Sequence, residues 1–378
     1  MGPLAGFKII EMKGIGPGPY AGMLLADMGA EVIVVERSTA PSGIVLPSAM
    51  DVNARGKKSI ALNLKTDAGK AALLKLVSNA DALFEGFRPG VAERLGFGPE
   101  VCLQQNPKLV YGRMTGWGQT GPLANTVGHD INYIALSGAL AGIGGTDKPT
   151  VPLNLLGDYA GGSLFLVVGM LAALLEASKS GQGQVVDAAI TEGSASLMSL
   201  FYTLSNLGVW QPKRQSNFLD GAAHFYDTYV TADEKSIAIG AIEPDFYQAL
   251  LTLLGLASAE LPPQNDPAHW PVLKQKFASI FKTKTRDEWC AILEGTDACF
   301  APVLDYTEAP KHPHNIARET FIEINGKIQP APAPKFSRSR CKKPAAPRAE
   351  GADTATVLSG WGFSDEEIAV LTSASGAD

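Results

Sequence analysis

The chain has 378 residues, of which 46% are apolar, and this length allows two domains with sizeable cores. Its formal charge is −6 and no run of Lys or Arg exceeds a pair, which argues against nucleic acid or an anionic membrane as a partner. The four cysteines form no CxxC pair, and the sequence shows neither a secretory signal pattern nor a peroxisomal tripeptide, so we expect a cytoplasmic protein.

Short apolar runs rich in β-branched residues alternate with helical patterns over the first 190 residues. This alternation predicts an α/β fold with a parallel sheet covered by helices. The predicted strands are FKIIEM (7–12), VIVVE (32–36), SIALNL (59–64), ALFEGF (82–87), LVYGRM (109–114) and VVDAAI (185–190). The most apolar stretch, 163–175, is too short to span a bilayer and is predicted to be a buried core helix.

A smaller α+β domain is predicted after residues 208–217, where the composition changes. Its predicted strands are HFYDTYV (224–230) and SIAIGAI (236–242), and its predicted helices lie around 244–255, 270–282 and 286–295. Residues 327–353 are rich in Pro, Ala and basic residues, which predicts an extended, poorly packed linker. Ser364 and Glu367 fit a capping box at the start of a last short helix.

The stretch GIGPGPYAG (14–22) matches the G-x-G-x-x-A pattern of dinucleotide-binding turns, and Glu36 lies twenty residues after Gly16, where a ribose-binding acid is expected. However, Pro17 and Pro19 lack the N–H groups that such a turn offers to a pyrophosphate. We therefore favour a tight strand-to-helix turn over nicotinamide binding.

Cations that follow successive predicted strands offer another way to bind an anionic ligand. These cations are Arg37, Lys65, Arg88 and Arg94. The carboxyl ends of parallel strands share one edge of the sheet, so these side chains could converge there.

Three residues are candidates for acid/base chemistry. His129 follows a glycine-rich loop at the predicted start of a helix, whose dipole favours neutral imidazole. Asp158 precedes a long apolar helix, whose first backbone N–H groups could hold an oxyanion, and Glu243 lies between a predicted strand and Pro244. A structural role at a helix start is the alternative for each. The five histidines show no metal-ligand spacing, and no Ser or Cys nucleophile motif is present.

The segments GHDINY, NLLGD, GAIEP, EGFRPGVAERLG and RMTGWGQTGP together resemble the α-methylacyl-CoA racemases within the family III CoA-transferases, and the resemblance covers essentially the whole chain. It implies an interlocked homodimer with a Rossmann-like large domain over 1–190 that is completed by 330–378. It further implies a linker helix over 191–223, a small α+β domain over 224–318, and a return linker with the C-terminal segment over 319–378.

The same resemblance implies that the protein interconverts (2R)- and (2S)-2-methylacyl-CoA thioesters by removing and returning the α-proton. His129 and Asp158 would be the two acid/base groups, the histidine on the S face and the aspartate on the R face, and the partner subunit's Glu243 would hydrogen-bond the histidine. No cofactor or metal is implied, because CoA is part of the substrate. The implied CoA-binding residues are Arg37, Leu62, Asn63, Leu64, Lys65, Gly86, Phe87, Arg88, Arg94, Gly128, Asp130, Ile131, Asn132 and Tyr133.

The alternative function is a CoA-transferase in which Asp158 attacks the thioester and forms a mixed anhydride. His129 discriminates between the two, since the transferase branch lacks a histidine there whereas a two-base racemase needs it. A CoA-binding relative without turnover ranks last. The family leads us to expect a Met-rich surface for the acyl chain in residues 192–210, but this segment contains a single methionine, Met198. The preferred acyl chain and the metabolic pathway therefore stay open.

Overall fold

The computed structural model describes residues 1–36 and 47–373, and its chain divides into two compact units. Unit 1 comprises Met1–Ser137, Leu153–Leu197 and Phe321–Asp378, and unit 2 comprises Gly138–Pro152 and Met198–Thr320. Residues 138–152 thus cluster with the second unit, although the sequence assigns them to the large domain.

Unit 1 is built on a six-stranded sheet in which every described pairing is parallel. Its strands are β1 (Lys8–Met12), β2 (Glu31–Glu36), β3 (Lys58–Ala61), β4 (Ala82–Glu85), β5 (Val110–Thr115) and β6 (Val185–Ala189). They run in the order β3-β2-β1-β4-β5-β6, which is the Rossmann order. The predicted α/β fold is confirmed, and the third strand ends before Leu62.

Helices cover both faces of this sheet. They are α1 (Pro17–Asp27), α2 (Asp67–Val77), α3 (Val91–Arg94), α4 (Pro99–Gln105), α5 (Asp130–Leu136), α6 (Phe165–Ser180) and α7 (Ile190–Leu197), with a π-helix at Leu155–Leu164 before α6. Because side chains alternate along a strand, Ile9 packs into the core that contains residues of α1 and α6, whereas Ile10 packs into the core that contains residues of α2. Both faces of the sheet are therefore buried.

The apolar stretch predicted as a buried core helix is helical but is buried on one face only. Leu166 and Met170 of α6 lie in the core, whereas Leu164, Val168 and Leu175 are exposed. By length and composition the continuous helix Leu155–Ser180 could cross a membrane, and 44% of its most apolar window is buried. A single helix of this kind is also typical of a core helix in a soluble protein, so we assign it no membrane role.

Unit 2 has the predicted α+β character. Its elements are α8 (Ser199–Asn206), β7 (Tyr226–Val230), β8 (Ser236–Gly240), α9 (Pro244–Leu253), α10 (Trp270–Phe281), α11 (Arg286–Leu293), β9 (Phe300–Pro302) and α12 (Pro313–Ala317). The three strands form an antiparallel sheet in the order β7-β8-β9, and an aromatic core that includes Phe225, Phe277 and Trp289 fills the unit. Both predicted strands and the three predicted helices are confirmed.

The C-terminal segment is more ordered than predicted. It contains the antiparallel strands β10 (Phe321–Ile324) and β11 (Lys327–Pro330) and the helices α13 (Thr354–Gly360) and α14 (Asp365–Ser373). Asp353 accepts a hydrogen bond from the Ser59 amide (3.0 Å) and its own amide donates to the Ser59 carbonyl (2.9 Å). The prediction of a poorly packed linker is therefore wrong at both ends of 327–353. The first end pairs with β10, and the last end supplies hydrogen-bond partners to β3, an edge strand whose backbone groups need them. The predicted capping box at Ser364 and Glu367 is confirmed.

Candidate active site

A cleft of about 600 Å³ opens in unit 1 at the carboxyl ends of β1 and β4. The strand order reverses between these two neighbours, and such a switch point is where open α/β sheets bind ligands. The turn after β1, the segment 86–89 after β4 and the segment 114–117 at the end of β5 form much of its wall. His129 and Asp158 also line the cleft, so the fold brings two of the three acid/base candidates together.

The glycine-rich turn after β1 forms the wall beside Asp158. Gly16 precedes α1 with φ 68°, and Pro17 occupies the first helical position, which confirms the predicted strand-to-helix turn. A Cβ on Gly16 would lie 3.0 Å from Oδ2 of Asp158, so only glycine allows this approach. Glu36 is buried and accepts a hydrogen bond from the Ser59 hydroxyl (2.8 Å), so its carboxylate is turned into the protein.

His129 is the residue that precedes α5, as predicted. Its backbone is extended, its side chain is exposed, and its amide donates to Oδ1 of Asn132 (3.0 Å). Asn132, a predicted CoA-binding residue, therefore satisfies a free N–H at the helix start. The ring of Tyr133, one residue further, stands in the cleft wall and its hydroxyl donates to the Gly128 carbonyl.

Asp158 lies in the first turn of the π-helix Leu155–Leu164, so it stands at the start of a helix as predicted, although inside the helix rather than before it. Asn154 precedes this helix, and its side-chain amide donates to Oδ2 of Asp158 (3.3 Å). The Asp158 amide donates to Oδ2 of Asp130 (2.6 Å), and this N–H is not available to an oxyanion. Asp130 is buried and its other carboxylate oxygen has no described partner. The described hydrogen bond of the Asp130 carboxylate is thus to the backbone of Asp158, so Asp130 helps to hold that residue in place.

Burial raises the pKa of the half-buried Asp158 carboxyl above its ordinary value. The hydrogen bond from Asn154 opposes this rise, the negative charge of Asp130 adds to it, and a positive charge on His129 lowers the pKa. Asp158 is therefore closer to the working range of an acid/base pair than an exposed aspartate is.

These causes predict opposite shifts in two variants. In Asn154→Leu we expect the pKa of Asp158 to rise further, because the carboxylate loses a donor, whereas in Asp130→Asn we expect it to fall, because a neighbouring negative charge is removed. Carbon NMR titration of the Asp158 carboxyl measures both. Shifts in the same direction would mean that a general loosening of the segment, rather than these contacts, controls the pKa.

Part of the predicted CoA-binding set lines the cleft, namely Gly86, Phe87, Arg88, Gly128 and Tyr133. Leu62 is buried in the core, and Lys65 is exposed in the turn before α2. Leu62, Asn63, Leu64, Lys65, Arg94, Asp130, Ile131 and Asn132 are not in the described wall of the cleft. Arg37 lies outside the described residues. The binding roles of all these residues stay predictions.

Glu243 belongs to unit 2, where it is exposed and precedes α9. Its predicted position between a strand and a helix is confirmed.

Among the residues of the cleft wall that sequence reasoning did not assign to the site are Met114, Trp117 and Asn154. Asn154 is in the NLLGD segment, four residues before Asp158. This spacing of one helical turn is the sequence signal that could have indicated its contact with the Asp158 carboxylate. Trp117 packs edge-on against Tyr133, with ring centroids 4.8 Å apart.

The family model of CoA-transferase family III matches residues 4–354. The chain belongs to CoA-transferase family III. It is 47% identical over 377 residues to the alpha-methylacyl-CoA racemase of Mus musculus, covering 98% of this chain and 96% of that protein. It is 44% identical over 379 residues to the alpha-methylacyl-CoA racemase of Homo sapiens, with the same coverage of 98% and 96%. The crystal structure of a CAIB/BAIF family protein from Brucella suis has the same fold, with a TM-score of 0.81, 24% identity, and coverage of 95% of this chain and 99% of that one.

Proposed function

We propose that this protein interconverts the (2R) and (2S) epimers of 2-methylacyl-CoA thioesters. The observation that carries the proposal is that His129 and Asp158 line one cleft at the switch point of the sheet. The mouse and human relatives, which are named for this activity, support the same conclusion.

Epimerisation requires two acid/base groups on opposite sides of the α-carbon. In one direction neutral His129 takes the α-proton, the electron pair of the C–H bond moves into the enolate, and protonated Asp158 returns a proton to the other face. In the reverse direction ionised Asp158 takes the proton and the His129 imidazolium returns one. Each turnover therefore moves one proton from one group to the other, and no cofactor is needed because CoA is part of the substrate.

For both directions to run, Asp158 must be able to hold the proton in one step and to release it in the other. Because burial raises the pKa of Asp158, its carboxyl holds a proton more readily than that of an exposed aspartate. This shift supports acid and base roles for the same carboxyl.

We also propose a homodimer in which the partner's Glu243 reaches the histidine, in a cytoplasmic location. The exposed apolar side chains of Val168 and Leu175 on α6, with Leu164 just before it, support a covering subunit, since exposed apolar surface of this kind marks interaction sites. Sedimentation velocity tests the dimer, and a monomer at micromolar concentration would contradict it.

A CoA-transferase acting through Asp158 is the second candidate, favoured by the half-buried carboxylate in the cleft. One experiment separates the two. The protein is incubated in deuterated water with a single 2-methylacyl-CoA epimer, with and without a free carboxylic acid. We expect optical inversion with one deuterium taken up at the α-carbon and no acyl exchange. Acyl exchange without inversion would replace the racemase by the transferase.

A further inference from the structure

A buried arginine connects both ends of the segment that carries Arg88 and Arg94. Arg113 is on β5, and its side chain is 9% exposed. Its Nε donates to Oε1 of Glu85 (3.1 Å), while Nη1 and Nη2 donate to the two carboxylate oxygens of Glu93 (2.8 and 3.4 Å). One planar guanidinium thus joins the last residue of β4 to helix α3.

Glu85 also fixes the start of this segment directly. It is fully buried, and its second oxygen, Oε2, accepts a hydrogen bond from the Phe87 amide (2.6 Å). Burial raises the pKa of Glu85 to about 7, while the Phe87 amide and Arg113 lower it. Burying the ion pair of Glu85 and Arg113 costs desolvation free energy. If the pair served only to stabilise the core, well-packed apolar residues could replace it. Its position suggests a further role.

The segment held by these two carboxylates carries Arg88, a cation of the cleft wall, and is followed by Arg94. Phe87 and Arg88 line the cleft, Gly90 has φ 81°, and Arg94 ends α3 with its Nη1 3.4 Å from where a Cβ on Gly90 would lie. Arg88 and Arg94 are both exposed. Without the contacts to Glu85 and Glu93, these side chains would have to be ordered when a ligand binds, which weakens binding.

We propose that Glu85, Arg113 and Glu93 are positioning residues that hold residues 86–94 so that Arg88 meets a phosphate group of CoA. This inference rests on the proposed function in taking CoA as the ligand, and on the predicted role of Arg88 as a CoA-binding residue. It assigns no chemical step to the three residues, so their loss affects binding rather than turnover.

The test uses Glu93→Gln and Glu85→Gln, with Glu31→Gln as the matched control. Glu31 is the first residue of β2 and pairs with Lys58 at 2.7 Å. Its variant therefore removes an ion pair at the end of the sheet opposite to the cleft. Calorimetric titration with CoA is expected to show roughly tenfold weaker binding for the first two variants and none of this loss in the control. With 2-methylacyl-CoA, KM should rise by a similar factor while kcat changes little.

A double variant separates positioning from a general loss of structure. If Glu93 acts through Arg88, the loss of CoA affinity in Glu93→Gln/Arg88→Gln is smaller than the sum of the two single losses on a logarithmic scale. Unchanged CoA affinity in both glutamate variants, even with a lowered melting temperature, would overturn the inference. Because Glu93 is 45% exposed, we expect its variant to fold even if Glu85→Gln does not. A failure of the unaltered protein to bind CoA would overturn the proposed function and the inference with it.

Discussion

In His129→Ala we expect racemisation to fall by about 10²–10⁴-fold while the R epimer still exchanges its α-hydrogen with solvent. The reason is that Asp158 remains on the R face, where it can remove a proton, exchange it with water and return one to the same face. The S epimer, which depends on His129, should lose its exchange. Proton NMR of each epimer in deuterated water measures both rates separately.

Asp158→Asn is the reciprocal variant and provides the control. It should slow racemisation by a similar factor. The S epimer should still exchange its α-hydrogen with solvent, and the R epimer should not. Opposite patterns in the two variants cannot arise from general damage to the cleft, because such damage would slow both exchanges together. Continued exchange of the S epimer in His129→Ala would contradict the assignment of the two faces.

In Gly16→Ala we expect a loss of activity of about 100-fold, because an added methyl would meet the Asp158 carboxylate. The new Cβ would lie 3.0 Å from Oδ2 and 3.4 Å from Cγ of Asp158, and the backbone there has φ 68° and ψ −118°. A misplacement of about 1 Å can cost a rate of this size. The unusual backbone conformation should also lower the free energy of unfolding by about 1–3 kcal/mol.

Gly14→Ala is the matched control for this change, since it adds the same methyl group in the same turn. The nearest atom to its Cβ would be the Met12 carbonyl oxygen at 3.9 Å, which is ordinary contact. We therefore expect a much smaller loss of kcat than in Gly16→Ala. Steady-state kinetics and thermal unfolding of both variants make the comparison, and equal losses of activity would show that Gly16 does not act through Asp158.

Much of the fold could be predicted because its signals are local. The β-branched runs that became β1 to β6 alternate with helices, and this alternation leaves few topologies besides a parallel sheet. Capping residues such as Ser364 mark helix starts through contacts three residues apart. The two acid/base candidates of the cleft, His129 and Asp158, were identified for the same reason, since each lies near the predicted start of a helix.

The rest depends on contacts between distant residues or on unusual backbone geometry. The π-helix begins before Asp158 and takes it into the first helical turn, and no sequence period distinguishes a π-helix from an α-helix. Asp130 holds the Asp158 amide across 28 residues of sequence, and Asp353 meets Ser59 across nearly the whole chain. The outer face of α6 has the composition of a core, so sequence alone predicts burial where the structure has exposed Val168 and Leu175.

A crystal structure of the Asp158→Asn variant with bound 2-methylacyl-CoA tests the central claim most directly. The account predicts that the α-carbon lies in the cleft with the His129 imidazole on one face and the side chain of residue 158 on the other, each about 3–3.5 Å from the carbon. An α-carbon outside the cleft, or with both side chains on the same face, would contradict epimerisation by two bases.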